Sequence, residues 1–367
     1  VRSARAAGVL PAVAALLLVT AGPAPAQPAV ADVCRVTDPR LAELSGLASD
    51  GRRWYALNDD DDGVLQVQVL GRDCSVVGTI SGTTDPYDAE DLALAPDGTL
   101  WVSDTGDNNR SRSTVALHAL SKDGTTRLHR LTYPDGPHDA EALLLDAAGV
   151  PHVVTKEALG QALVYRPVGA LNEAGPTPLE QVAALSLPST DTPGGPRESR
   201  LVTRLVTGGA MSRDGSVAAL RTYTEVYLYP VVDGDLVAAL GREPVRVPLP
   251  GEAQGEAIAF EPDGTLLSAS EFGDGGTSSA VRSVSGAVDA ATSARPSSTA
   301  PGEEAGGTST GPGAEAARPA ADPSAAGNGP EWLDRVRVAL VGIGVVAVFG
   351  LALWARSRWG RGRRARG

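Results

Sequence analysis

Residues 88–110 read DAEDLALAPDGTLWVSDTGDNNR, and this stretch decides the fold. Two short apolar runs, at 92–95 and 100–102, flank the turn Pro96-Asp97-Gly98, and carboxylates stand outside both runs. Apolar runs joined by a Pro-Asp-Gly turn predict a β-hairpin, here with acid at its open end. The same sentence recurs. Strand starts are expected at ELSGLA (43–48), DAEDLA (88–93), DAEALL (139–144), TGGAMS (207–212) and QGEAIA (254–259). Each is followed by a turn and a second apolar run at 54–57, 100–103, 151–154, 217–220 and 266–269.

Aligned on Leu47, Leu92, Leu143, Met211 and Ile258, the units are spaced by roughly 45 to 50 residues, with one longer interval before Met211. That period suits one four-stranded propeller blade. The expected fold is therefore all-β, a β-propeller of four-stranded blades over residues 33–287. The count is five, or six if residues 161–205 hold an irregular blade. The fifth unit lacks a fourth strand, which residues 33–36 can supply by pairing the N-terminal end with the last blade. Cys34 and Cys74, the only cysteines, are then placed to form a disulfide across the closure. An open β-sandwich is the competing reading, but it predicts neither the even spacing nor the recurring acidic start. One large core is expected.

Both ends of the chain differ from this body. Residues 1–26 run from Arg2 and Arg5 through an apolar stretch to Ala24-Pro25-Ala26, the order of a secretory signal. Residues 288–330 are Ala, Ser, Gly, Pro and Thr with little to bury, and are expected to form a disordered stalk. Residues 338–355 are an uncharged apolar run long enough for one transmembrane helix, and residues 356–367 form a basic tail. The expectation is a single-pass cell-membrane protein with its body outside and its tail in the cytoplasm. Net charge −12 disfavours nucleic acid as a partner and suits cations or neutral ligands.

The first and second strands of a blade are antiparallel, so the start of one and the end of the other meet on the same face. Carboxylates gathered there repel unless a cation or proton intervenes. An all-oxygen set without a histidine or cysteine cluster points to calcium. The candidate ligands are Glu43, Asp88, Glu90, Asp104, Asp107, Asn108, Asp139 and Glu141. The competing reading has strand-start carboxylates accepting backbone N–H groups of neighbouring blades and holding the ring together. Lys156, Arg221 and Glu256 are candidates for binding a ligand at the same rim, and His138 is the one rim histidine available as a general base. The run at 58–63, NDDDDG, begins like an EF-hand loop, but Val69 stands at the twelfth position and the motif fails.

The words ELSGLA, DAEDLALAPDGTLWVSDTGDN and EAIAFEPDGTL resemble secreted bacterial propellers of the phytase-like, esterase-like and gluconolactonase-like grouping, over about residues 43–270. The gluconolactonase-like resemblance implies one divalent ion in the central channel, with Glu43 matching its glutamate. The phytase-like resemblance implies calcium ions and phosphate on an acidic face, with Lys156 and Arg221 as nearby cations. Two functions follow as expectations. One is a binding module with calcium at the acidic mouth, recognising a small molecule, glycan or protein. The other is a metal-dependent hydrolase, phytase-like, esterase or lactonase, at the same face.

Overall fold

The five recurring turns share one device. An aspartate, Asp50, Asp97, Asp146, Asp214 or Asp263, accepts backbone N–H groups two to four residues on, and a glycine with positive φ follows, Gly98 at +91° for example. Aspartate closes the turn locally, and glycine alone adopts that φ without a Cβ penalty. Each turn therefore fixes the register of one hairpin.

The structure, a computed structural model, describes residues 28–59, 63–159, 161–196 and 199–293. After β1 (Val30–Val36), a first meander comprises β2 (Leu44–Ser49), β3 (Trp54–Asn58), β4 (Gln66–Leu70) and β5 (Val76–Ser81). The second runs through β6 (Asp91–Leu94), β7 (Leu100–Asp104), β8 (Val115–Leu120) and β9 (Thr126–Thr132). The third has β10 (Ala140–Leu145), β11 (Pro151–Thr155), β12 (Ala162–Pro167) and β13 (Thr177–Leu185). The fourth has β14 (Val206–Met211), β15 (Val217–Thr222), β16 (Glu225–Pro230) and β17 (Val245–Pro248). Last come β18 (Gln254–Phe260), β19 (Leu266–Glu271) and β20 (Ser279–Val284), and β1 pairs antiparallel with β20. The fold is nearly all β, with two short helices, α1 (Leu236–Leu240) and α2 (Ala287–Ser293). Between β13 and β14 the described residues contain no strand, only a 3-10 turn at Val202–Arg204.

The first strands β2, β6, β10, β14 and β18 lie against one another in that order, and β18 returns to β2. Close approach explains glycines here: a Cβ on Gly46 would fall 2.8 Å from Leu92 Cβ, and one on Gly208 would fall 2.2 Å from the Glu256 carbonyl oxygen. The apolar residues do not form one large core, as composition suggested. They form five clusters, each between two neighbouring meanders, because every sheet buries one face on the sheet before it and the other on the sheet after it. Trp54 is fully buried between the first and last sheets, its Nε1 donating to Glu261 at 2.7 Å. Cys34 on β1 and Cys74 between β4 and β5 form a disulfide, which ties the last sheet to the first.

Two details depart from the sequence reading. β9 and β13 pair in parallel at their outer edges, merging the second and third meanders into one eight-stranded sheet. Residues 288–293, assigned to the stalk, are helical, and Ala287 and Ala291 are fully buried against the fourth and fifth sheets. Low-complexity composition concealed an alanine face able to pack. Among the described residues no helix is long and apolar enough to cross a membrane. The expected signal at 1–26 and the apolar run at 338–355 lie outside the described residues.

Candidate functional site

Bulges at the beginnings of the first strands set the site. Pairing slips between Ala140 and Ala142 and between Gly255 and Ile258, leaving Glu141 and Glu256 in the bulges. A bulge re-aims a side chain that regular alternation would fix on one face. Ser45 and Thr207 occupy the bulges of β2 and β14, where their hydroxyls donate to the Glu90 carbonyl at 2.6 Å and the Gly255 carbonyl at 2.8 Å on the next sheet. Glu90 immediately precedes β6.

The carboxylates meet in two overlapping groups. Oxygens of Glu90, Asp139 and Glu141 lie within 4.8 Å of one another, as do those of Asp59, Asp88 and Glu90. Asp88 and Glu90, two positions apart, thus act on the same side, as alternation requires. Gly106 faces them with bare backbone, since a Cβ there would fall 2.0 Å from Glu90 Oε1. Lys156, just beyond β11, ion-pairs with Glu141, and its ammonium sits 5.2 Å from the Tyr223 ring centroid. The other oxygen of Glu141, Oε2, is buried without a hydrogen-bond partner.

Crowding has electrostatic consequences. Desolvation, then the charges of neighbouring carboxylates, push Asp59 and Glu90 well above the usual carboxylate range. Glu141 is also pushed well up by burial, although Lys156 opposes the shift. Burial and the charge of Glu271 push Glu256 up to about 8, while burial and the charge of Glu43 push Glu271 up to about 7. Burial raises Asp139 too, against Lys156 and the N–H of Asp107. Burial disfavours the Lys156 ammonium, but Glu141 and its neighbours outweigh that and hold it well above the ordinary lysine value. Lys156 is therefore a fixed cation here, not an amine nucleophile.

Several candidates are employed differently from what the sequence suggested. Asp104 accepts from Arg112 at 2.7 Å, His118 at 3.2 Å and the Asp88 N–H at 3.1 Å, and despite burial its carboxyl is held low by His118 and Arg112. Asp107 accepts the N–H groups of Ser111 and Arg112 and donates its own to Asp139 at 2.9 Å, and Asn108 is exposed. These three frame the loop after β7 and do not join the carboxylate groups. Arg221 is a clear correction. It does not reach the rim but is fully buried, bonded to Glu252 and, at 2.5 Å, to Ser268 Oγ, because its position on β15 faces the last sheet.

His138 lies against Tyr133 and Tyr165, its Nε2 3.0 Å from the Tyr165 hydroxyl and 3.1 Å from Asp135. Glu43 is exposed at the rim and contributes charge to Asp59 and Glu271. The sequence reading overlooked Asp91, a fully buried carboxylate that accepts the N–H groups of Leu92 at 2.8 Å, Leu143 at 2.8 Å and Gly209 at 2.9 Å. It joins β6 to β10 and β14, the ring-holding role considered for its neighbours. Asp59, Glu271 and Tyr223 also belong to the site, and only their position at or just after the ends of second strands hinted at it.

No family model matches the sequence, and no curated protein matches it. Solved structures do. The PQQ-bound form of an aldose sugar dehydrogenase from Streptomyces coelicolor aligns at 12% identity and TM-score 0.40, covering 71% of this chain and 99% of that one. A putative gluconolactonase aligns at 16% identity and TM-score 0.36, over 63% of this chain and 69% of its own. A streptogramin B lyase aligns at 10% identity and TM-score 0.37, over 70% and 97%. None of these likenesses is strong enough to carry a ligand or an activity to this chain.

Proposed function

We propose that this protein is a five-bladed propeller displayed outside the cell on a C-terminal anchor, and that its acidic mouth binds a divalent, oxygen-preferring cation, calcium first. The five meanders and the ring of first strands support the blade count. The observation that carries the cation is the group Glu90, Asp139 and Glu141, buried within 4.8 Å of one another, with Glu141 Oε2 unsatisfied. Buried carboxylates at that spacing need protons or a cation between them. Lys156 supplies one positive charge beside Glu141, fewer than the three carboxylates of that group carry when ionised. The donors are all oxygen, both cysteines are in the disulfide, and the chemistry therefore fits calcium better than zinc. The ion would order the mouth for recognition of a small molecule, glycan or protein.

Calorimetric melting with calcium or with chelator tests this. The expected outcome is a rise of several degrees with calcium, reversed by chelator and abolished in Glu90→Gln. An unchanged melting temperature in the wild type would remove the cation.

A second reading, hydrolysis at the same mouth, is favoured by Glu256. A carboxyl held at about 8 beside a fixed ammonium is poised to exchange protons near neutral pH. Turnover on a panel of lactones, esters and phosphate esters, lost in Glu256→Gln and sensitive to chelator, would select it over pure binding.

A further inference from the structure

The face opposite the acidic mouth carries the aspartate-glycine turns and a cavity of about 620 Å³ that none of the foregoing uses. Its walls come from the far ends of all five first strands. Leu94, Leu145, Met211 and Phe260 give it an apolar lining, the first three only partly covered by protein. Charged groups at its edge are of two kinds. Asp50, Asp146 and Asp214 are engaged locally: Asp50 accepts the N–H groups of Arg52 and Arg53 and the Tyr55 hydroxyl, Asp146 those of Ala148 and Val150, and Asp214 those of Ser216 and the Ser212 hydroxyl. The cations differ. Lys122 leans on Asp50 at 3.4 Å, but the guanidinium groups of Arg52 and Arg213 make no ion pair or side-chain hydrogen bond among the described residues. The edge thus has carboxylates engaged within the protein and exposed guanidinium groups open to a ligand.

We propose that this cavity is a binding site for a small amphipathic anion, an aromatic or acyl body with one carboxylate or sulfonate. The body fills the apolar walls and the anion meets Arg52 and Arg213. The volume falls within the range of small-ligand pockets, about 300 to 1,000 Å³, which are mostly apolar with a few placed polar groups. Guanidinium suits such a head because it offers paired donors in a plane. Selectivity follows from the placement of the cations: at the mouth Lys156 is already paired with Glu141, whereas the cavity edge presents Arg52 and Arg213. The site is independent of any cation at the mouth.

The probe is 1-anilinonaphthalene-8-sulfonate, titrated into the full chain by fluorescence. One saturable site is expected. Ala95→Trp, which fills the cavity from a residue outside every core cluster, and the double variant Arg52→Ala/Arg213→Ala should each weaken binding about tenfold or more. N-phenyl-1-naphthylamine, the same body without its sulfonate, should also bind about tenfold more weakly. Glu90→Gln should leave the titration unchanged, which separates failure here from failure at the acidic mouth. If Ala95→Trp does not fold, Ala147→Trp on an exposed turn of the same edge replaces it. Unsaturable fluorescence, indifference to the variants, or equal binding of the uncharged body would overturn the proposal.

Discussion

Glu256 and Glu271 make the apo protein sensitive to pH in an unusual direction. Their carboxyls sit at about 8 and about 7 in the fold against 4.5 for an unperturbed glutamate, so between those limits the native state holds protons that the unfolded chain has released. Stability is then full below the unfolded value and falls as pH rises through 7 and 8. Calorimetry of the chelated protein should show a melting temperature several degrees lower at pH 8 than at pH 5, and saturating calcium should flatten that slope, since the charge of an ion among the neighbouring carboxylates favours the ionised forms of Glu256 and Glu271. A flat or rising profile without calcium would mean that the carboxylates are already compensated. Lys156 gives a second prediction. Lys156→Met removes the counter-charge of Glu141 and should cost about 3 to 5 kcal/mol, the range for breaking a buried pair from one side. Part of that loss should return on adding calcium. Chemical denaturation with and without the ion checks it.

Among the elements, β1 has the largest leverage for its length. It supplies the fourth strand of the last sheet and carries Cys34, whose bond to Cys74 joins that sheet to the first across 40 residues of sequence. The bridge restricts the unfolded chain, and by loop-closure estimates contributes about 4 kcal/mol. Cys34→Ser should lower stability by that order, and reduction of the wild type should have the same effect in the same melting experiment. Resistance to both would mean that strand pairing alone holds the closure. The hairpins were legible as elements because their signals are local: apolar alternation, then aspartate and glycine at fixed offsets. The bulges were not, because a slipped register at Glu141 or Glu256 depends on which strand lies alongside. For the same reason the loop after β7 misled the reading. Asp104 and Asp107 are as acidic in sequence as Glu90, and only the arrival of Arg112 and His118 assigns them to the frame.

At the scale of the molecule, the chain enters and leaves on one face. Val30 and Val284 are paired beside Leu266, at the turn end of the last sheet, and α2 follows directly with the Val288 N–H on the Gly264 carbonyl. The acidic mouth lies at the other end of the ring. Among the described residues α2 is the last element that packs, so a chain cut before Ala287 should be about 2 to 3 kcal/mol less stable than one cut after Ser293, as Ala287, Val288 and Ala291 leave their cluster. Equal melting of the two chains would show that α2 contributes nothing.

The repeat, its turns and the cysteine pair were legible in sequence alone, since each is written in short-range pattern or in a count of two, and the missing fourth strand of the last unit pointed to the N-terminal end, whereas the pairing of β9 with β13 left no such mark. Which carboxylates face one another, that Arg221 is interior, that Asp91 binds three strands together and that a cavity opens on the turn face were decided by the tertiary structure. Those properties depend on distances between residues far apart in the chain, and the packing of the meanders against one another is what sets them.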